Sequence, residues 1–183
     1  MLIEAAKSFL LVIDMQERLL PAMTGGAEAE ARCRLLVQSA RTLGLPVIAS
    51  EQYPRGLGPT VEALKESLGN APIFEKLEFS CWRNPALKNA LIGYHESGRP
   101  QAILAGIEAH VCLLQTALDL AQAGFAVFAV ADAMASRRPQ SVSLAQARMA
   151  QAGVAVVTAE MAVFELLGRA GTAEFKALSG LVR

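Results

Sequence analysis

The stretch AILAGIEAHVCLLQTALDL, residues 102–120, decides the fold class of this 183-residue chain. Residues 102–105 form a continuous apolar run, which is typical of a strand buried on both faces. Gly106 and Ala109 then predict a tight turn, and apolar residues at helical spacing follow it. Cys112 therefore lies in or beside the first turn of a helix, where unpaired N–H groups and the helix dipole favour a thiolate. This position indicates covalent chemistry rather than simple packing.

The same alternation of apolar runs and amphipathic helices continues in both directions along the chain. Six strands are predicted, at residues 8–14, 46–50, 72–76, 101–105, 125–131 and 154–158. Besides the helix at Cys112, helices are predicted at residues 27–43, 60–68 (with Thr60 as its cap), 85–96, 140–151, 160–167 and 173–182. We therefore expect an α/β fold, a three-layer αβα Rossmann-like sandwich with a mostly parallel six-stranded sheet. Residues 1–183 are expected to form a single domain.

The composition of the chain limits the classes of partner. With 17 basic and 17 acidic residues, the formal net charge is zero and no basic run occurs, so no nucleic-acid partner is expected. The hydrophobic fraction of 53% is high for a monomer and predicts a homo-oligomer, a dimer or a tetramer. No segment has the length and apolarity of a membrane span, so no membrane contact is expected. Three widely spaced cysteines make no disulfide framework, which favours the cytoplasm.

Three reactive side chains follow the ends of three predicted strands: Asp14, Lys76 and Cys112. In a parallel sheet, functional groups gather at the carboxyl ends of the strands, near the point where the strand order reverses. The sequence therefore predicts that a carboxylate, an ammonium and a thiol share one crevice. We expect Lys76 to stabilise the thiolate and to keep Asp14 ionised, and Asp14 to take the thiol proton.

Each of these residues also has a purely structural alternative. Cys112 could be a small buried hydrophobe, the commonest role of a cysteine. Asp14 could cap the turn that follows it, and Lys76 could belong to an exposed ion-pair cluster with neighbouring glutamates. His110 is a second candidate base, ranked below Asp14 because a histidine two residues before the sulfur would often point elsewhere.

Further residues are expected around this crevice. The candidates to line a pocket for a small-molecule substrate are Gln52, Tyr53, Phe79, Trp82 and His110. The backbone N–H groups of Glu108 and Cys112 are candidates for an oxyanion hole. Asp132 and Arg137, near the end of the fifth strand, are expected to be loop-stabilising partners of each other.

The other cysteines and the histidines limit the remaining chemistry. Cys81 is a weaker rival nucleophile because no helix clearly begins at its sulfur, and Cys33 lies inside an amphipathic helix as a structural residue. The chain has two histidines and no CxxC or HxxxH spacing, so no metal site is expected. It also lacks a nucleotide-binding fingerprint, so no cofactor is expected.

Three segments in this order resemble the isochorismatase-like cysteine hydrolase superfamily: LVIDMQ at 11–16, FEK at 74–76 and GIEAHVC at 106–112. The segments EQYPRGLGPT at 51–60 and VADAMASR at 130–137 look most like its isochorismatase domain-containing subgroup. The resemblance implies a six-stranded parallel sheet and an Asp-Lys-Cys triad at Asp14, Lys76 and Cys112. It also implies a cis peptide bond at Ile107–Glu108, which would turn the Glu108 N–H toward the oxyanion.

The resemblance also bears on the reaction. Nicotinamidases of the superfamily carry metal-binding histidines after the second strand, where this chain has Glu51-Gln52-Tyr53-Pro54. Members that hydrolyse isochorismate lack the nucleophilic cysteine. The sequence thus predicts a metal-independent cysteine hydrolase of a small amide or related C–N bond, acting through a thioester on Cys112. The alternatives are a non-catalytic interaction protein that retains the fold, and a thiol redox enzyme that uses Cys112 with Cys81.

Overall fold

The strands form one parallel sheet whose order reverses in the middle. The computed structural model describes residues 1–182. The strands are β1 (Ser8–Ile13), β2 (Val47–Gln52), β3 (Ile73–Lys76), β4 (Gln101–Ile107), β5 (Ala126–Ala135) and β6 (Ala155–Val157). Their order is β3-β2-β1-β4-β5-β6, and every neighbouring pair is parallel. The chain builds outward from β1 to β3 and then returns to add β4 beside β1, so the switch point lies between β1 and β4.

Helices cover both faces of this sheet. They are α1 (Gly26–Thr42), α2 (Pro54–Leu57), α3 (Glu62–Leu68), α4 (Pro85–Glu96), α5 (Leu114–Gln122), α6 (Pro139–Gln151), α7 (Ala159–Leu167) and α8 (Ala173–Leu178). A π-helical turn, Ala109–Leu113, leads directly into α5. The predicted three-layer α/β sandwich is confirmed, with a sheet that is parallel throughout.

The central strand β1 separates the two layers of the core. Its side chains alternate, with Leu10 and Val12 in one hydrophobic cluster and Phe9, Leu11 and Ile13 in the other. The first cluster includes buried residues of α1, α3 and α7, and the second includes those of α4, α5 and α6. Every residue of β1 is buried. This burial on both faces explains why the strand shows no alternation of apolar and polar residues.

Several boundaries differ from the predicted ones. β4 runs to Ile107 and β5 to Ala135, beyond the predicted ends at residues 105 and 131, whereas α8 ends at Leu178, before the predicted residue 182. Thr60 does not cap α3. Its N–H and hydroxyl donate to the Glu51 carboxylate at 2.6 and 2.7 Å, and this anionic acceptor competes successfully with the helix end.

Gly106 allows β1 and β4 to approach closely at the switch point. Its φ is +123°, and an added Cβ would lie 2.1 Å from the carbonyl oxygen of Ile13 and 2.7 Å from the Ile13 nitrogen. Both atoms are backbone, so neither can move aside as a flexible side chain would. Only glycine satisfies both the positive φ and the close contact. Because Asp14 follows Ile13 directly, Gly106 also sets the distance between the ends of the two strands.

Gly106→Ala is expected to lower the free energy of unfolding by about 3 kcal/mol or more, because it combines an unfavourable φ with a backbone clash. Urea unfolding measures the loss. Gly153→Ala is the matched control, since Gly153 also has a positive φ, +83°, but nothing within 4 Å of the added Cβ. The control should lose only about 1 kcal/mol. Equal losses in the two variants would contradict the steric role of Gly106.

Candidate active site

Asp14, Lys76 and Cys112 lie together at the carboxyl edge of the sheet. Lys76 Nζ donates to Asp14 Oδ2 at 2.6 Å, and neither side chain has any exposed surface. The Cys112 Sγ lies 4.0 Å from Gln52 Oε1, which accepts from Lys76 Nζ at 2.8 Å. Side chains from three separate strand ends therefore form one cluster, with Gln52 between the lysine and the sulfur.

The backbone of Asp14 and the hydroxyl of Ser50 hold the Asp14 carboxylate in place. The φ of Asp14 is +53°, in the left-handed region that aspartate adopts more readily than most residues. Its N–H donates to the Ser50 carbonyl at 3.0 Å, and its Oδ1 accepts from the Ser50 hydroxyl at 2.8 Å. Because both carboxylate oxygens have partners across the sheet, the side chain of Asp14 does not cap the following turn.

Burial and the paired charges determine the protonation states. Burial by itself would lower the pKa of Lys76, but the negative charge of Asp14 and the hydrogen bond to it act in the opposite direction, and the pKa lies above its ordinary value. The pKa of the Cys112 thiol is also raised, first by burial and then by the negative charge of Asp14, while Lys76 opposes these effects only in part. The predicted resting thiolate is therefore wrong. The free site holds a neutral thiol beside an Asp14–Lys76 ion pair.

Gln52 was predicted to line the substrate pocket. Instead, both polar atoms of its side-chain amide are hydrogen-bonded to other residues of the chain. Its Oε1 accepts from Lys76, and its Nε2 donates to the Leu77 carbonyl at 2.8 Å. The side chain of Gln16 accepts from the Gln52 N–H at 2.7 Å and donates to the Gln52 carbonyl at 3.0 Å. Gln52 thus holds Lys76 and faces the sulfur. Gln16 was not among the predicted site residues, because its contacts with Gln52 depend on which strands are neighbours.

The turn that carries the sulfur begins at the peptide bond between Ile107 and Glu108, which is cis as the resemblance implies. Inside this turn, the N–H groups of Val111 and Leu113 donate to the Glu108 carbonyl at 3.1 and 3.3 Å. No hydrogen bond from the Glu108 N–H to another of residues 1–182 is present. That N–H is therefore a donor that the described part of the chain leaves for another acceptor.

The three aromatic pocket candidates lie in different places. Tyr53 lines a cavity of about 410 Å³ whose wall includes Lys76 but not Cys112, of which 5% is exposed. Phe79, 53% exposed, lies on the loop after β3 and is not part of that wall. Trp82 packs edge-on against Phe125, with 5.7 Å between the ring centroids. Phe125 precedes β5, so Trp82 points toward the opposite end of the sheet, which corrects the prediction that it lines the site.

Of the two other candidate reactive residues, His110 points away from the Cys112 sulfur and Cys81 lies behind it. His110 Nδ1 lies 2.9 Å from the Ser136 hydroxyl, and His110 lines a separate cavity of about 410 Å³. Cys81 is fully buried and lies 3.5 Å from Ser50 Oγ. Burial, more than any other effect, raises the pKa of Cys81 to about 11. Cys33 is buried in α1, as the sequence predicts.

Asp132 and Arg137 both hold loops, but they are not partners of each other as predicted. Asp132 Oδ1 accepts from the Ala159 N–H at 2.7 Å, and the Arg32 Nε lies 3.4 Å from its other oxygen. Arg137 donates instead to the Glu108 carboxylate at 2.9 Å. Asp132 therefore anchors the start of α7, whereas Arg137 holds the turn that precedes Cys112.

Between residues 1 and 182, no helix is long and apolar enough to cross a membrane. In the same range, no group of three or more His, Cys, Asp or Glu side chains could hold a metal ion.

The sheet order and the cluster at its switch point define an α/β protein with a buried cysteine, lysine and aspartate at the place where such folds bind ligands. A profile of the isochorismatase domain matches residues 8–161. The chain belongs to the isochorismatase family.

Individual relatives cover most of the chain. Isochorismatase domain-containing protein 1 of Danio rerio is 38% identical over 178 residues, which are 97% of this chain and 62% of that protein. The chain thus spans less than two thirds of that relative. The structure of the MAR1 ribonuclease of Caenorhabditis elegans is 38% identical with a TM-score of 0.92, covering 100% of this chain and 92% of that one. The YcaC gene product of Escherichia coli, described as an octameric hydrolase of unknown specificity, is 26% identical with a TM-score of 0.90 over 98% and 90%.

The charges around Cys112 predict the direction in which its pKa should move when a neighbouring charge is removed. Asp14→Asn removes a negative charge that raises the pKa of Cys112, so that pKa should fall. The ultraviolet absorbance of the thiolate, followed against pH with the Cys112→Ala signal subtracted, measures this shift. Identical titrations in wild type and Asp14→Asn would show that the Asp14 charge does not act on the sulfur.

Proposed function

We propose that this protein is a metal-independent cysteine hydrolase of a small amide or related C–N bond. In this proposal Cys112 is the nucleophile, Asp14 is the general base, and Lys76 holds Asp14 and keeps it charged. The observation that carries the proposal is the fully buried Asp14–Lys76 contact of 2.6 Å beside a thiol whose pKa is raised. A neutral thiol next to a fixed carboxylate is ready for proton transfer at the moment of attack.

The first half of the reaction breaks the C–N bond. As Cys112 Sγ attacks the carbonyl carbon, the thiol proton passes to the Asp14 carboxylate. The N–H groups of Glu108 and Cys112 stabilise the oxyanion, and one such donor typically contributes about 3 kcal/mol. Asp14 then donates its proton to the departing nitrogen, which leaves as an amine. The acyl group stays on the sulfur as a thioester.

The second half releases the acid. A water molecule gives a proton to Asp14 as its oxygen attacks the thioester carbon. The C–S bond breaks, and the proton on Asp14 returns to the Cys112 sulfur. One amide and one water thereby give one acid and one amine, and the site regains its starting protonation.

The charge distribution favours a small substrate over a polyanion. The Caenorhabditis elegans relative carries the name ribonuclease, so RNA is the competing substrate to test. The formal net charge of this chain is zero, and in the wall of the cavity Glu75 and Glu78 are balanced by Lys76 and Arg55, which leaves no net positive charge there. RNA binding normally depends on an excess of basic side chains.

The two alternative functions remain open to experiment. For a non-catalytic interaction protein, slow alkylation of Cys112 is not diagnostic, because its raised pKa slows the reaction in either case. For a redox pair, Thr116 Oγ1 lies 2.9 Å from the Cys81 nitrogen and 2.7 Å from the Cys112 carbonyl oxygen, so the two backbones run close together. However, the pKa of Cys81, about 11, disfavours the thiolate that disulfide exchange requires.

We expect the protein to act as a homo-oligomer in the cytoplasm. Leu144, Met161 and Phe164 on α6 and α7 are exposed apolar side chains, which supports burial between copies. The octamer named for the Escherichia coli relative extends the expected assembly beyond a dimer or a tetramer. Light scattering on the purified protein measures the assembly directly.

Cys112→Ala and Asp14→Asn are each expected to lower turnover at least about a thousandfold, because each removes a group that the covalent step requires. A screen of small amide and ureido compounds, with mass spectrometry for an acyl adduct on Cys112, identifies the substrate. Cys33→Ala is the control, since it removes a buried thiol of α1 that contacts the Ala133 carbonyl and makes no contact with the cluster among the described hydrogen bonds. An RNA digestion runs beside the screen. Full turnover in Cys112→Ala, or RNA cleavage without amide turnover, would contradict the proposed reaction.

A further inference from the structure

We propose that Ser50 is a positioning residue for Asp14, and that the buried thiol of Cys81 holds the Ser50 hydroxyl in place. This inference rests on the proposed function, in which Asp14 is the base. It adds two residues that touch neither substrate nor solvent, since Ser50 and Cys81 are buried behind the cluster. They act through Asp14.

The two oxygens of the Asp14 carboxylate have different donors. Ser50 Oγ lies 2.8 Å from Oδ1, and Lys76 Nζ lies 2.6 Å from Oδ2. An ionised carboxylate only accepts, so the Ser50 hydroxyl is the donor. The terminal torsion of an aspartate is broad and nearly two-fold, so one donor leaves the carboxylate plane loosely set. The second donor, on Ser50, fixes that plane and with it the direction of the lone pairs that receive the thiol proton.

The number of hydrogens on each group decides which of Ser50 and Cys81 is the donor in their contact. The Ser50 hydroxyl has a single hydrogen, which goes to Asp14, so toward Cys81 it can only accept. Cys81 Sγ lies 3.5 Å from Ser50 Oγ, within the range of a sulfur hydrogen bond. Burial keeps Cys81 protonated, with a pKa of about 11, so its S–H is available as the donor. The chain of donors therefore runs from Cys81 to Ser50 to Asp14.

Thr116 joins this chain to the nucleophile. Its hydroxyl accepts from the Cys81 N–H at 2.9 Å and donates to the Cys112 carbonyl at 2.7 Å. Thr116 is itself fully buried in α5. The segment that bears Cys81 is thus fixed to the turn that bears Cys112. Through Ser50, Cys81 and Thr116, buried contacts connect Asp14 to Cys112.

Acrylamide is a suitable probe because it is a small amide with a reactive alkene. The Cys112 sulfur adds to the terminal alkene carbon, and the thiol proton passes through Asp14 to the neighbouring carbon, which leaves a thioether. Intact-mass and peptide mass spectrometry measure the rate at Cys112. Ser50→Ala should lower this rate about tenfold, and Ser50→Thr, which keeps the hydroxyl, should stay within about threefold of wild type.

Matched cysteine variants separate positioning from packing. Cys81→Ala should slow the labelling of Cys112, whereas Cys81→Ser, which keeps a donor, should restore it. Cys33→Ala removes another buried thiol, whose sulfur lies 3.5 Å from the Ala133 carbonyl oxygen, and should leave the rate unchanged. Equal slowing in Cys33→Ala and Cys81→Ala would show a packing effect and overturn the role of Cys81.

A second measurement reports on Asp14 without any reaction. The carbon NMR shift of the Asp14 carboxyl group, assigned with Asp14→Asn, should move in Ser50→Ala and return in Ser50→Thr. An unmoved resonance, or a moved resonance with undiminished labelling in Ser50→Ala, overturns the positioning role. If the resonance moves as expected but wild type and Asp14→Asn label equally fast, Asp14 is not the base, and the proposed function fails while the contact of Ser50 with the carboxylate stands.

Discussion

The buried ion pair between Asp14 and Lys76 is the constraint on which the rest of the site depends. Neither charge has access to water, and removing either partner would leave the other buried without compensation, at a cost of several kcal/mol. The pair forms only if β1, β2 and β3 keep their register, in which Ile13 lies opposite Ser50 and Gln52 opposite Lys76. The sheet order is therefore a requirement of the charges as well as of the hydrophobic core.

The sequence was sufficient to predict the fold and the meeting of Asp14, Lys76 and Cys112 at one edge of the sheet. Apolar runs without alternation imply parallel strands covered on both faces, and residues that follow such strands gather at one edge. Asp14, Lys76 and Cys112 needed no further information. The partners of these residues could not be predicted, because Ser50, Gln52 and Gln16 depend on which strands are neighbours and in which register. Trp82 was misplaced for the same reason, since the direction of a loop side chain is not encoded in spacing.

The protonation state of Cys112 was predicted wrongly for a different physical reason. The sequence shows a cysteine near a helix start and a lysine at a strand end, and both favour a thiolate. It does not show that the sulfur is buried, or that the charge of Asp14 acts on the pKa of the sulfur more strongly than the charge of Lys76 does. Burial and the Asp14 charge raise the pKa of Cys112, and Lys76 offsets them only in part. A carboxylate that suppresses the thiolate at rest is also the group that, in the proposed reaction, accepts the thiol proton.

The neutral state of Cys112 has a consequence for the lifetime of the protein in an oxidising cell. Hydrogen peroxide attacks thiolates and converts them stepwise to sulfenic, sulfinic and sulfonic acids, whereas protonated thiols react slowly. In the proposed reaction, the sulfur loses its proton only when a substrate carbon is in reach, so it would be spared this damage between turnovers. Burial and the neighbouring negative charge would then preserve the nucleophile as well as govern its timing.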